Sequence, residues 1–400
     1  MDATVREIGE VVAELRSAGY MAVTIGQYEK TISALAEYAE GRGGAYSPGL
    51  GAEFSSMTTS PRTGRFSAQR RFDYRRLVGL FDSYVRSGRV DLSVRKRGGG
   101  GPHPVSGEFA ALDAAWEAEM DDRDLAPATR TAYGQVARSY LVFLEQGGTG
   151  RLKDADGASV LAFLESLLGR WAKSSLFWVV SNFRPFLRFT GRADLVDALS
   201  LAGVRRSHRI IPMLSDEVEA LVVRACVSGA VSARDAAITL LALATGLRAC
   251  DIVGLRLGDI DWRGQTVGIV QQKTGNPLCL PLPALLMTKL ADYVLGERPA
   301  SDDDHVFLRS VAPHTPLANH ASVHRVTLTT FQKAGLTDAK AGTRLLRHNA
   351  ASRLLAAAVA LPTISAILGH ASEESTNLYM SVDLDRLVDC VLPVPEGARA

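Results

Sequence analysis

Apolar residues recur at helical spacing through most of the 400-residue chain, and strand-like runs are confined to one short region. In the first block, Val5 to Leu15 reads as a helix, and Thr24 to Tyr38 sets Ile25, Tyr28, Ile32, Leu35 and Tyr38 on one stripe. The Gly/Ser/Pro-rich span Gly41 to Thr63 reads as a loop, and Phe72 to Val85 as another helix. A second helical block follows, with segments Glu108–Met120, Ala128–Glu145, Ala158–Leu168, Ser174–Phe189 and Ala193–Ser200. Further on, Ser215 is placed to cap a helix, and the nearly unbroken apolar run Ala236 to Ala244 predicts a buried one. Gln265 to Leu282, QTVGIVQQKTGNPLCLPL, predicts a β-hairpin with TVGIV and LCLPL as its strands and Gly275-Asn276-Pro277 as turn chemistry. The stretch Ala341 to Val382 reads as an Ala/Leu-rich helix with a basic start, a Pro-started helix, and a polar turn at Gly369-His370. The expected fold is mainly α, with a small antiparallel β-sheet in the C-terminal domain.

Breaks in the pattern divide the chain. Residues 98–104, GGGGPHP, form a linker, since four glycines do not hold a packed conformation cheaply. They separate a basic helical module, 1–97, from a second helical domain, 105–203. The basic segment 204–213, VRRSHRIIPM, leads into a last domain, 214–400. Thr24 and Tyr28, with Tyr38 ten on, match Thr129 and Tyr133, with Phe143 ten on, at an offset of 105. Tandem copies of one helical module explain that match, and so does coincidence between two amphipathic helices.

Composition narrows the function classes. At 46% hydrophobic and 22% charged, this is the make-up of a water-soluble globular protein. No run of about 18 apolar residues is present to span a membrane, and MDATVREIGEVV lacks a signal core. Cys226, Cys250, Cys279 and Cys390 lie far apart without a CxxC pair, which argues against zinc and disulfides and for a reducing cytoplasm. The histidines outside the candidate site show no metal-ligand spacing, so neither a metal nor a cofactor is expected. Net charge is only +2, but residues 62–97 hold eleven Arg/Lys against three Asp. Arg70, Arg71, Arg75 and Arg76 there alternate with Phe72 and Tyr74, which fits a helix tracking DNA phosphates or a solvated face with its aromatics in a core.

The candidate chemistry lies in the last domain. In TGLRACDIVGLRLGDIDW, Arg248 opens a helix directly after the buried one, at a helix end suited to an anion. Lys273 stands on the hairpin limb just before its turn. Arg344 and Arg347 fall in RLLRHNAA, His370 in ILGHAS, and Tyr379 nine residues further. Arginine, histidine and tyrosine side chains converging on one spot suit phosphoryl transfer, with a phenol as nucleophile and cations on the phosphate oxygens. In this order and spacing the chain resembles the tyrosine recombinase (phage integrase) family over about residues 105–390, most strongly from 240 to 382. Residues 1–95 are like the family only in being helical and basic.

The resemblance implies a tyrosine recombinase catalytic fold behind N-terminal helical DNA-binding domains, clamped in a C shape on double-stranded DNA. Arg248, Arg347 and His370 are then transition-state stabilisers, Lys273 the general acid, and Tyr379 the nucleophile of a 3′-phosphotyrosine intermediate. Asp251 takes the place of the family's usual glutamate, as a partner orienting an arginine. Arg344 occupies a position where the family usually carries histidine; it retains charge and donors but is a poor base. The domain 105–203 is similar to the family's core-binding domain, with Arg130, Arg138, Lys173 and Arg184 as phosphate contacts or ordinary surface charges. Strand exchange through a Holliday junction implies a homotetramer. The C-terminal tail, with Leu384, Leu387, Val388 and Leu392 on one face, docks on a neighbouring protomer or caps its own domain. The expected role is a DNA integrase or transposase of a mobile element, cytoplasmic and nucleoid-associated. Topoisomerase-like strand relaxation and a catalytically weakened DNA-binding relative are the alternatives.

Overall fold

The computed structural model describes residues 3–42, 46–92, 102–168, 171–172, 175–204, 213–337 and 342–369. The chain divides into two compact units, one of residues 1–94 together with 210–400, the other of 95–209. Among the described residues the fold is helical apart from one three-stranded antiparallel sheet. No helix there is long and apolar enough to cross a membrane.

The first unit begins with helices α1 (Ala3–Ser17), α2 (Ala22–Glu40), α3 (Pro48–Ser56) and α4 (Ala68–Ser87). The stripe of Ile25, Tyr28, Ile32 and Leu35 is buried as its spacing requires. Helix α3 lies in the span whose composition reads as a loop. Ser47 starts it, its hydroxyl accepting from Leu50 N–H at 3.2 Å, and Pro48 occupies the first turn, where a missing N–H costs nothing. Its fully buried Phe54 stacks on Tyr74 of α4 at 4.1 Å between centroids, so tertiary packing completes a helix too short to stand alone. Ala312, from a loop of the last domain, packs against this N-terminal cluster.

The second unit holds α5 (Gly107–Asp122), α6 (Pro127–Gln146), α7 (Gly157–Leu167), α8 (Leu176–Phe189) and α9 (Ala193–Leu201) around Trp116, Tyr140, Phe163, Phe183 and Phe186. Its first two helices follow the burial pattern of the N-terminal two at a constant offset, and the next two follow it at shifted offsets. At an offset of 105, buried Val11, Leu15, Ile32, Leu35 and Ala39 match buried Trp116, Met120, Ala137, Tyr140 and Leu144. The connection between the first two helices repeats as well, with positive φ at Gly19 and again at Asp124. Tyr20 N–H reaches Leu15 O at 3.1 Å, and Leu125 N–H reaches Met120 O at 3.2 Å. Side-chain caps start the third helices, Ser47 and Asp156, and buried Phe54 corresponds to Phe163. In the fourth helices, Leu77, Val78 and Phe81 correspond to Val179, Val180 and Phe183, all buried. Thus the match at Thr24 and Tyr28 belongs to a repeated helical pair, α1–α2 and α5–α6.

The rest of the first unit is built around α11 (Ala233–Thr245), in which Ala236 to Leu243 and Thr245 are buried, close to what its apolar run predicts. It is packed by α10 (Asp216–Val227), α12 (Ala249–Gly254), α13 (Ala284–Asp292), α14 (His320–Lys333) and α15 (Thr343–Ala356), with α16 (Leu361–Leu368) against α15. The sheet runs β1 (Ile260–Asp261), β2 (Thr266–Val270), β3 (Pro277–Pro281), with Val267 opposite Leu280. Strand β3 starts one residue earlier than the pattern indicates, and Lys273 sits on the turn itself instead of the limb. Gln271 closes that turn: its N–H reaches Asn276 O at 2.9 Å, and its carbonyl accepts from Gly275 N–H at 2.8 Å.

Candidate active site

Helix α11 ends at Gly246, in the left-handed region at φ 63°. A Cβ there would stand 3.0 Å from the Leu368 side chain and 3.2 Å from Ala350, so glycine allows three segments to meet. Buried Leu247 follows, then half-buried Arg248, which caps α12 in an extended conformation. On α15, Arg347 is buried to 9% exposure. Helix α16 ends at Gly369, again left-handed at φ 61°.

These elements meet at the end of α16. Arg347 donates from Nη1 to Gly246 O at 2.8 Å and from Nη2 to Leu368 O at 2.7 Å. Arg248 donates from Nη2 to Gly369 O at 3.2 Å and from Nη1 to Gln271 Oε1 at 2.8 Å. Carbonyls left over at a helix C-terminus carry partial negative charge and favour cations. Two guanidinium groups from distant sequence positions are therefore pinned at one place, next to the position that His370 follows. His370 and Tyr379 lie outside the described residues.

The hairpin turn joins the same network. Buried Asp251 accepts from Gln272 N–H at 2.9 Å and meets the Cys250 thiol at 3.8 Å. It thus braces the turn that carries exposed Lys273, and it is the backbone of that turn, not an arginine, that it holds. Orientation of Arg248 falls instead to Gln271, which the sequence reading passed over. The available signal was a polar residue in QQKTG, beside the candidate lysine, at a position that faces inwards. Arg344 is exposed on the first turn of α15. Its charge reaches His348 one turn on, where burial first and Arg344 second push the imidazole down to about 4. His348 is therefore neutral near pH 7 and supplies no cation to the site. Behind Arg347, buried Asn349 donates to Glu219 Oε2 at 2.7 Å and accepts from Leu214 N–H at 3.3 Å, tying α15 to α10.

The expected DNA contacts fare unevenly. Arg71 and Arg75 are exposed on α4, Arg71 with its guanidinium 5.8 Å from the Phe66 ring. Arg70 lies over Tyr74, and Arg76 is hydrogen-bonded to the hydroxyls of Tyr28 and Tyr20. Arg130 is paired with Asp121, and Arg184 donates to Ser200 Oγ at 2.9 Å. Arg138, with 11% of its side chain exposed, is held between Glu117 at 2.7 Å and Asp113 at 3.8 Å, which makes it a packing residue. Lys173 lies outside the described residues. Among those residues, Asp303, Asp304 and His305 form one compact acidic group, in which Arg256 already neutralises Asp304 at 2.5 Å.

Comparison with known proteins gives a consistent picture. Residues 212–386 match the model of the phage integrase family. A Sinorhizobium fredii protein named as an integrase/recombinase, y4rF, is 31% identical over 309 residues, covering 74% of this chain and 73% of its own. The tyrosine recombinase XerC of Mesorhizobium japonicum is 30% identical over 300 residues, covering 72% of this chain and 95% of its own. Among solved structures, a lambda integrase tetramer bound to a Holliday junction shares the fold with a TM-score of 0.53 at 17% identity, over 80% of this chain and 90% of that one.

Proposed function

The chain belongs to the phage integrase family of tyrosine recombinases, and from that premise we propose how its own residues perform the reaction. It is a site-specific DNA recombinase, an enzyme that breaks and rejoins DNA strands. Tyr379 attacks the scissile phosphate, forming a 3′-phosphotyrosine bond as the bond to the 5′ oxygen breaks. Lys273 gives that oxygen its proton, which an ammonium can do and a guanidinium effectively cannot. Arg248, Arg347 and His370 offset the charge that builds on the phosphorane, and lower the cost of ionising a phenol whose ordinary pKa is about 10. Arg344 adds charge without acting as a base. Because the phosphodiester energy is kept in the tyrosyl bond, attack by another strand's 5′-hydroxyl reseals the DNA without a nucleotide cofactor.

One observation carries this reading: Arg248 and Arg347 both close on the carbonyls of Leu368 and Gly369, immediately before His370. Two cations fixed at one point before substrate arrives are what a phosphoryl-transfer site requires. Double-stranded DNA is the substrate, and exposed Arg71 and Arg75 on α4 are its first candidate phosphate contacts in the N-terminal module. The repeated helical pair supports two DNA-gripping modules ahead of the catalytic domain. Strand exchange proceeds through a Holliday junction in a homotetramer on two sites, a reading supported by the lambda integrase assembly, with the C-terminal tail docking between protomers. Recombination of a mobile element, in the cytoplasm at the nucleoid, is the setting this implies. Strand relaxation alone and a non-catalytic relative are disfavoured by the integrase and recombinase relatives.

The test is covalent trapping on a nicked suicide duplex carrying the site this chain selects from a random DNA pool. Wild-type protein forms the adduct and Tyr379→Phe does not. An equal yield from both removes Tyr379 as nucleophile. Arg344→His measures what the histidine usual at that position contributes.

A further inference from the structure

Gln271 is almost wholly buried, at 1% exposure, in a domain whose other buried polar side chains mostly lie on helices. Its side-chain amide touches three separate parts of the site. The carbonyl Oε1 accepts from Arg248 Nη1 at 2.8 Å and from Thr274 Oγ1 at 2.8 Å. The amide Nε2 donates to Leu368 O at 3.1 Å, the carbonyl that also receives Arg347 Nη2 at 2.7 Å. Thr274 Oγ1 is within 3.4 Å of Gly369 O as well. One amide thereby connects the first arginine, the turn that carries Lys273, and the end of α16 shared with the second arginine.

Two features show that the contact is built in. A Cβ on Gly369 would collide with the Gln271 amide, so the chain leaves room for it there. The backbone N–H and C=O of Gln271 themselves close the hairpin turn, at 2.9 and 2.8 Å, so its side chain starts from a fixed point. A neutral amide also suits this place. A carboxylate here would pair strongly with Arg248 and compete with an incoming phosphate, whereas an aliphatic side chain would leave Leu368 O and the guanidinium unguided.

We propose that Gln271 is the positioning residue of this recombinase, holding Arg248 and the α16 end in the register at which both arginines meet one phosphate. The proposal rests on the recombinase reading above. It assigns Gln271 no contact with DNA and no proton to move; its effect passes through Arg248. Displacing a reacting group by about 1 Å can cost about 100-fold in rate, and that is the scale expected when the amide is lost.

The full-length chain is assayed for single-turnover adduct formation on the suicide duplex described above, as wild type, Gln271→Met, Gln271→Glu, Arg248→Lys and the double variant Gln271→Met/Arg248→Lys. Gln271→Met keeps the side-chain volume and loses every side-chain hydrogen bond, leaving the backbone bonds of the turn. It should slow cleavage about 10- to 100-fold while the Kd for the duplex changes less than about threefold and the Tm little. Its loss and that of Arg248→Lys should be strongly sub-additive in the double variant, because both act on one guanidinium. Gln271→Glu, which still orients Arg248 but binds it as an ion pair, should recover fixed geometry yet weaken phosphate capture, showing as a raised half-saturating concentration with a single-turnover rate at saturation nearer wild type. Additive losses, or an unaffected rate in Gln271→Met, overturn the assignment. Absence of any adduct from wild type would instead take down the recombinase reading and this one with it.

Discussion

Replacing Gly246 by alanine tests the packing on which the site is built. The residue has φ 63°, and its new Cβ would lie 3.0 Å from Leu368 Cδ2 and 3.2 Å from Ala350 Cβ. A left-handed conformation costs a non-glycine residue about 1–2 kcal/mol. The two close contacts add overpacking, for which about 1–3 kcal/mol is usual. Leu368 can rotate its methyl away, whereas Ala350 is fixed on the backbone of α15, so relief is partial. The expected destabilisation is therefore about 2–4 kcal/mol. In a domain of this size each kcal/mol lowers Tm by roughly 2–4 °C. The assay is thermal unfolding of the Gly246→Ala protein beside Gly268→Ala, a strand glycine whose added Cβ meets nothing within 4 Å. The control should move Tm little. Because Gly246 O also receives Arg347 Nη1 at 2.8 Å, the variant should lose adduct formation at temperatures where it is still folded. A Tm equal to that of wild type, with normal cleavage, would refute the claim that this glycine is where α11, α15 and α16 are fitted together.

Other outcomes follow from the same contacts. Arg138→Ala leaves Asp113, whose carboxyl burial already pushes above the usual range, with His103 at 3.4 Å but without its guanidinium; it should cost about 1–3 kcal/mol of stability and leave the salt dependence of DNA binding unchanged. Arg71→Ala and Arg75→Ala should do the opposite, keeping Tm and each reducing the slope of log K against log salt by about 0.9, as gel-shift titrations across salt would show. His348 binds its proton in the folded state only near pH 4, against an ordinary value of 6.5. The unfolded chain takes up that proton first, so stability is fully present above about pH 6.5 and declines as pH falls towards 4. His348→Gln should flatten that decline in pH-dependent denaturant melts.

Much of this could be read along the chain, because it depends on neighbours in sequence. Helical periodicity places α2, the apolar run Ala236–Ala244 places α11 and the TVGIV pattern places β2, while the spacing of arginine, lysine, arginine, histidine and tyrosine marks the family. The loop reading of residues 41–63 fails at α3 because Gly, Ser and Pro favour turns locally. Burial of Phe54 against Tyr74 reverses that preference, and the partner lies twenty residues away. The role given to Asp251 shifts for a similar reason. A carboxylate three residues from Arg248 is close in sequence, but its nearest donor in space is the Gln272 amide across the hairpin.

Local pattern is set by the spacing of side chains on one element, so it survives in the sequence as composition and period. Arg138 and Arg75 show where that information stops: both are arginines on amphipathic helices, and only the acids brought up from α5 commit Arg138 to the interior. Gln271 shows it for the site. Strand alternation through Val267 and Ile269 points it inwards and Gln272 outwards, but only folding brings Arg248, Thr274 and Leu368 to its amide, from 23 residues before it to 97 after. Hydrogen bonds depend on direction and on distances of about 3 Å, and those are settled only once the helices have packed.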